Sequence, residues 1–320
     1  MKRAIPVLVA MLALMAAPPA LAQYPAKPIN MVVPFAAGGS NDIVARAIGK
    51  KLGEAWGQTV IIDNRAGAGG VIGAAHVANA APDGYTLLLI SSTYTINPAV
   101  KSNMPFDTFK AFDPVAFIAS SPLLMASANK LPITSAKDLI DLARRKPGSI
   151  NYASAGPGSI NQIAAEMFAS AAGIKLLHVP YKGGALAVND LVGGHVDLYI
   201  SSMPQILPIA KTGQVRPLAV TGLKRSPSLP DVPTLDEIGL KGYEASSWWG
   251  IVAPAGTPAE IVAKLNAEIN KTLGSDEMKR FLQGEGAEAR AMTPKDFRDL
   301  IETEGKRWDK VAKEAGIRAD

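Results

Sequence analysis

The sequence predicts an α/β protein of two lobes that face one another across a cleft. Three observations carry this. Short apolar runs alternate with stretches of helical period, the pattern of layered helices and mostly parallel strands. Two distant segments repeat one design of strand, glycine-rich turn and helix start: Val33-Pro34-Phe35-Ala36-Ala37-Gly38-Gly39-Ser40-Asn41-Asp42 and Asn151-Tyr152-Ala153-Ser154-Ala155-Gly156-Pro157-Gly158-Ser159. The chain has 320 residues and no cysteine. It is therefore long enough for about two domains, and core packing alone must hold them.

The start of the chain reads as an export signal. Lys2 and Arg3 precede an apolar run of 13, Ile5 to Ala17, and Ala20-Leu21-Ala22 is a small-x-small cleavage site. Cleavage after Ala22 leaves a mature chain from Gln23 and places it in the periplasm. The run is too short for a bilayer span, which needs about 20 apolar residues. There is no cysteine to carry a lipid at the cleavage site, so a free, soluble mature protein is expected. Its charge is mild, with 31 basic and 28 acidic residues once Lys2 and Arg3 are gone. The basic residues are scattered, so nucleic acid is not expected as a partner.

Ten strands are expected along the chain. They are Ile29–Pro34, Thr59–Asp63, Thr86–Ile90, Val115–Ala119, Leu123–Ala126, Ile150–Ala153, Lys175–Pro180, Val196–Ser201, Arg216–Thr221 and Trp248–Ala253. Helical periodicity marks Asn41–Trp56, Gly70–Ala80, Ser135–Arg145, Asn161–Ala172 and Ala185–Val192. Three helices close the chain at Pro258–Leu273, Ser275–Gly284 and Thr293–Glu314. The proline-rich stretch Ser226 to Pro233 excludes regular structure and serves as a connection. The expected division is a signal at 1–22, a first lobe at 23–121 and 247–320, and a second at 122–246.

The two glycine-rich turns are the candidate site. Gly38 and Gly39 let a ligand approach the main chain, with Ser40 or Gly39 as N-cap and Asp42 in the first helical turn. A helix start offers unpaired N–H groups and partial positive charge, so it binds anions without a cation. In the second turn Ser159 and Gln162 form a Ser-x-x-Gln capping box, with Gly156 and Gly158 clearing space. Two such ends, one per lobe, would clamp one carboxylate. The glycines Gly67, Gly69, Gly70 and Gly73 miss the dinucleotide fingerprint by one residue and are read as permitting close helix–sheet packing.

Catalysis has little support. Ser154 lacks the first glycine of a nucleophile elbow, and His178 and Asp197 follow it in an order unlike the elbow enzymes. His178 lies in an apolar strand and is read as a hydrogen-bonded structural residue. His76 and His195 have no metal spacing, so neither a metal site nor a cofactor is expected. Trp248 and Trp249 are read as packing residues, and Lys182 as a solvated surface lysine.

In many short stretches the chain resembles the extracytoplasmic solute receptors of tripartite tricarboxylate transporters, the Bug receptors. The resemblance runs from about Pro28 to the C-terminus. It is carried by Pro34-Phe35, Gly38-Gly39, Asp42, Ala45-Arg46, Asn64-Arg65, Gly67, Gly69-Gly70 and Gly73. Asn97-Pro98, Asn151-Tyr152, Gly156, Gly158, Ala164, Glu166, Phe168 and Val179-Pro180-Tyr181-Lys182-Gly183 continue it. Gly193-Gly194, Val196-Asp197, Leu218-Ala219-Val220-Thr221, Arg225-Ser226-Pro227, Leu229 to Pro233 and Ala253 to Pro258 complete it.

The resemblance implies a type II-like periplasmic-binding-protein fold with two lobes, two crossovers and a closing cleft. It implies capture of a small carboxylate, delivery to the membrane permease subunits, and no enzyme activity. Carried across, the pincer is Phe35, Ala36, Ala37, Gly38, Gly39, Ser40, Asn41 and Asp42 against Ser154, Ala155, Gly156, Gly158, Ser159 and Asn161. Ser92, Thr93, Tyr181 and Ser201 would lie deeper and choose among carboxylates. Many relatives carry His at the place of Gln162 and an acid at the place of Ser201. The missing acid tilts the ligand from an amino acid to a plain or aromatic acid, and Ser201→Asp should weaken binding. A monomer is expected of a receptor that must close. An orphan sensor feeding a signalling protein, a hydrolase on the same fold and a structural or adhesive protein are the alternatives.

Overall fold

The computed structural model describes residues 24–319, so the expected signal and its cleavage site lie outside the described residues. The sheet contains β1 (Ile29–Val33), β2 (Val60–Asn64), β3 (Thr86–Ser91), β4 (Phe112–Ser127), β5 (Asn151–Ser154), β6 (Leu177–Pro180), β7 (Leu198–Ser202), β8 (Arg216–Val220), β9 (Ser246–Pro254) and β10 (Glu288–Ala289). Its order is β2-β1-β3-β9-β4-β7-β5-β6, with β8 and β10 also pairing β4. The helices are α1 (Ser40–Trp56), α2 (Val71–Ala78), α3 (Ser92–Val100), α4 (Ala136–Arg145), α5 (Ile160–Ala172), α6 (Gly184–Val192), α7 (Met203–Lys211), α8 (Ala259–Gly274), α9 (Asp276–Gly284) and α10 (Pro294–Ala315). No helix among the described residues is long and apolar enough to cross a membrane.

One strand joins the halves. The apolar runs Val115–Ala119 and Leu123–Ala126, expected as two strands, belong to the single 16-residue β4. Its first part pairs antiparallel with β9, from Phe112 opposite Pro254 to Pro122 opposite Ser246. Its second part pairs antiparallel with β7 and β8. Ser120 to Pro122 keep the extended form, so the chain crosses without a loop. The sheet is consequently mixed rather than mostly parallel. Parallel pairs are confined to β1 with β2 and β3, and to β5 with β6 and β7, where helices make the connections. β9 runs against the first group and β4 against the second.

The cores follow from strand alternation. On β1, Ile29, Met31 and Val33 enter one cluster and Val32 the other, so both faces of this strand are covered. The second half has its own core around Leu124, Tyr152, Phe168, Ile200 and Leu218. Burying a side chain of this kind contributes about 1.5–3 kcal/mol. The C-terminus joins that core: Trp308, Ala312, Ile317 and Ala319 pack with it, together with Ile96 and Val100 of α3. The N–H of Ala319 donates to the Val100 carbonyl at 2.9 Å.

Two helices were not legible in the sequence. Serine and threonine at its start and Pro98 within it disguise α3. Pro204 and Pro208 disguise α7. In both, the helix follows its strand directly; Pro204 lies in the first turn, where no intrahelical bond is lost, whereas Pro98 and Pro208 lie inside their helices and each removes one. The stretch from Ser226 to Pro233 forms turns and no strand or helix, as its prolines require.

Candidate functional site

A small cavity lies where the two halves of the sheet meet, lined by Phe35, Gly39, Ser40 and Asn41 of the first turn and Ala155, Ile160 and Asn161 of the second. Ser91, Thr93, Gly184, Ser202, Gln205 and Ser247 complete the wall. The space is about 20 Å³, room for a water molecule. None of these residues carries a formal charge.

Five helices begin at this wall. Gly39, Ser91, Gly183 and Ser202 are the N-caps of α1, α3, α6 and α7, and none of the four gives a side-chain cap. Ser159 caps α5 by accepting the N–H of Gln162 at 3.4 Å. The first N–H groups of a helix have no partner within it, and each start carries roughly half a positive charge. The wall is thus positive without a cation. The sequence singled out two of these five starts. The other three escaped because α3 and α7 were hidden and α6 had no neighbour to face.

The first turn is built by Asp42, whose carboxylate faces away from the cavity. It accepts the N–H of Gly38 at 2.9 Å, Arg46 Nε at 2.8 Å and Asn64 Nδ2 at 3.0 Å. Asn64 Nδ2 also donates to the Phe35 carbonyl at 3.1 Å. Burial alone would push the acid's pKa up. The hydrogen bonds from Arg46, Gly38 and Asn64 outweigh it and hold the carboxyl below its usual range. Asn41 anchors the turn on its other side, accepting from the buried indole of Trp249 at 2.7 Å. Trp249 is fully buried and Trp248 packs edge-on against Phe297, so both tryptophans are packing residues.

The second turn is tied down by Ser154. Its Oγ accepts the N–H of Gly156 at 3.1 Å and lies 2.7 Å from His178 Nε2. The His178 ring stacks on Tyr152, and burial lowers its pKa. Ser154 and His178 are therefore paired, a contact the sequence did not reveal. The Ser154 side chain is fully buried, and Asp197 lies elsewhere. It accepts the N–H of Asn151 at 3.0 Å and meets Lys130 at 3.4 Å. Gln162 extends the capping arrangement differently from a capping box: its Oε1 accepts the N–H of Gly158 at 2.8 Å.

The halves touch in several places. The N–H of Ile160 donates to Thr93 Oγ1 at 3.2 Å. Gly69, at φ +64°, lies so close to the Pro157 carbonyl that a Cβ there would collide with it. Ala36 lies against Gly183, and Gly38 against Ala185. The glycine cluster from Gly67 to Gly73 thus does more than pack helix on sheet, although Gly73 does seat α2 on Pro34.

Some expected residues stand off the wall. Ser92 and Ser201 are fully buried and adjoin it, while Ser91, Thr93 and Ser202 form it. A strand alternates its faces, so Ser201 and Ser202 cannot both look into the cavity. Tyr181 turns its hydroxyl to Asp190 Oδ2 at 2.5 Å, and burial with that bond pushes its pKa up to about 12. Ala37 and Lys182 are exposed. Ser91, Gly184, Ser202, Gln205 and Ser247 are wall residues that sequence reasoning missed. Among the described residues no group of three or more His, Asp or Glu is placed to hold a metal ion.

The sequence matches the model of the "Tripartite tricarboxylate transporter family receptor" over residues 44–317. It is 37% identical to protein BugT of Bordetella pertussis over 305 residues, which cover 95% of this chain and 94% of that one. The fold superposes on R. palustris Rpa4515 with adipate at a TM-score of 0.90 and 41% identity, covering 92% of this chain and 99% of the other. It superposes on MatC from Rhodopseudomonas palustris with bound malate at 0.87 and 32%, covering 90% and 99%. The curled mixed sheet with its three apolar clusters is a periplasmic-binding-protein fold, and the chain belongs to the family of tripartite tricarboxylate transporter receptors.

Proposed function

We propose that this receptor captures a small carboxylate between Gly39, Thr93, Ile160, Gly184 and Ser202, the halves parting to widen a space that in this arrangement is about 20 Å³. The carrying observation is the convergence of five helix starts on a wall without a charged side chain. Partial charges of one sign favour an anion. Main-chain donors leave no buried lysine unpaired when the anion departs. Two similar structures hold an acid, adipate in one and malate in the other.

The lobes are residues 23–121 with 247–320, and residues 122–246. They swing about the β4 and β9 crossings at Ser120 to Pro122 and Ser246 to Ser247. Binding favours the closed arrangement, because only there do donors from both lobes reach one ligand. The receptor acts in the periplasm after cleavage behind Ala22, as a monomer, and hands its acid to the membrane permease subunits. It performs no chemistry: Ser154 is fully buried and off the cavity wall, and among the described residues no acid hydrogen-bonds to the half-buried His178.

The test is a thermal-shift screen of the mature chain against small carboxylates and their matched amides. An acid at about 100 times its dissociation constant should add roughly 2.7 kcal/mol. Stabilisation by an acid and not by its amide is the expected result. Folded protein that responds to no acid in the panel would overturn the assignment.

A further inference from the structure

Gln205 is the one long polar side chain on the cavity wall. It is 8% exposed, and its Nε2 has no hydrogen-bond partner. A buried donor left unmade is costly, so a position like this one is kept for a partner that comes and goes. The amide is held by its neighbours. It lies in the first turn of α7, two residues after Met203, and its carboxamide packs directly against the Cα of Gly184. Any side chain at residue 184 would displace it. Gly184 is itself the first residue of α6. Gln205 therefore sits between two helix starts, on the side of the cavity formed by the second half of the sheet. The ends of α1, α3 and α5 supply the remaining wall.

We propose that Gln205 is a specificity-determining residue that donates from Nε2 to a second oxygen acceptor of the ligand, a second carboxylate. The proposal rests on the carboxylate reading of the cavity. One carboxylate takes the starts of α1 and α5. The other takes Gln205 with the starts of α6 and α7. No Asp or Glu lines the wall, so an ammonium group in the same place would be buried without a counter-charge. The receptor then prefers a dicarboxylic acid to the monocarboxylic acid of the same chain, and rejects the corresponding amino acid.

The experiment is titration calorimetry on the mature chain with matched probes. Adipate is paired with hexanoate, and malate with 3-hydroxybutyrate and aspartate. Gln205→Met keeps the length and removes the donor; Gln205→Glu keeps the shape and adds a negative charge. Circular dichroism confirms that each variant is folded. In the wild type each diacid should bind at least 10-fold more tightly than its monoacid. In Gln205→Met that preference should shrink to about threefold or less, the diacid losing more than the monoacid. Gln205→Glu should lose the diacid by more than 10-fold and gain on aspartate relative to malate. Equal losses on diacid and monoacid in Gln205→Met would reduce Gln205 to a wall-shaping residue and overturn the proposal. Wild-type preference for the monoacids would overturn it while leaving carboxylate capture standing. Folded wild type that binds none of the acids would overturn both.

Discussion

Thr93 and Ile160 come from opposite halves of the sheet, and the Thr93 hydroxyl accepts the N–H of Ile160 at 3.2 Å. Ile160 is the first residue of α5, so one free donor of that helix is satisfied only when the halves meet. Thr93→Val removes the acceptor and keeps the shape. Closure should lose about 1 kcal/mol, and adipate should bind roughly fivefold more weakly. Thr93→Ser should restore it. Calorimetry reads the difference, and wild-type affinity in Thr93→Val would show that the bond contributes nothing to closure.

Gly69 controls how near the halves can come. Its φ of +64° costs an L-residue about 1–2 kcal/mol, and its Cα faces the Pro157 carbonyl too closely for any Cβ. Gly69→Ala should melt only slightly lower than the wild type yet lose most of its acid binding. Small-angle scattering should show no compaction when adipate is added. Full compaction in the variant would mean that the loop gives way without penalty.

Asp42 links local geometry to pH. Its folded pKa is held below the ordinary value, so its stabilisation is present at pH above the unfolded pKa of about 3.9 and is lost as pH falls through the folded value. Asp42→Asn should lower stability at pH 7 by roughly 1–3 kcal/mol, the range for losing charged hydrogen bonds to a buried acceptor. Denaturant melts at pH 7 and pH 3 should show the gap narrowing in acid. A gap that stays constant would remove the carboxylate from the account.

His178 acts in a higher window. Burial lowers its pKa from 6.5, so the unfolded chain takes up the proton first. The folded state keeps its full stability above about pH 6.5 and loses it progressively as the pH falls. Stability measured between pH 7.5 and 5 should decline in the wild type, and His178→Gln should flatten that decline. Identical slopes in the two proteins would assign the effect to other groups.

The alternation of apolar runs and helical periods was enough to give the α/β class, most elements and the two glycine turns. These are local properties. Turn chemistry at Gly38-Gly39 and Gly156 to Ser159 is written in the residues themselves, as is the N-cap role of Ser159. The long-range arrangement was not. That Val115–Ala119 and Leu123–Ala126 share one strand depends on β9 and β7 pairing at either end of it.

The sequence by itself determined that two helix starts would offer main-chain donors, because glycine turns and helix caps are decided within a few residues. Only the tertiary structure decided that three more starts join them, that Ser202 rather than Ser201 forms the wall, and that Asp42 and Ser154 brace the turns instead of facing the cavity. The reason is physical: a residue's neighbours set its backbone, but the direction of its side chain relative to a cavity depends on segments a hundred residues away. Gln205 shows the same division. Its proline-flanked sequence hides a helix, and its burial against Gly184 exists only once α6 and α7 are packed together.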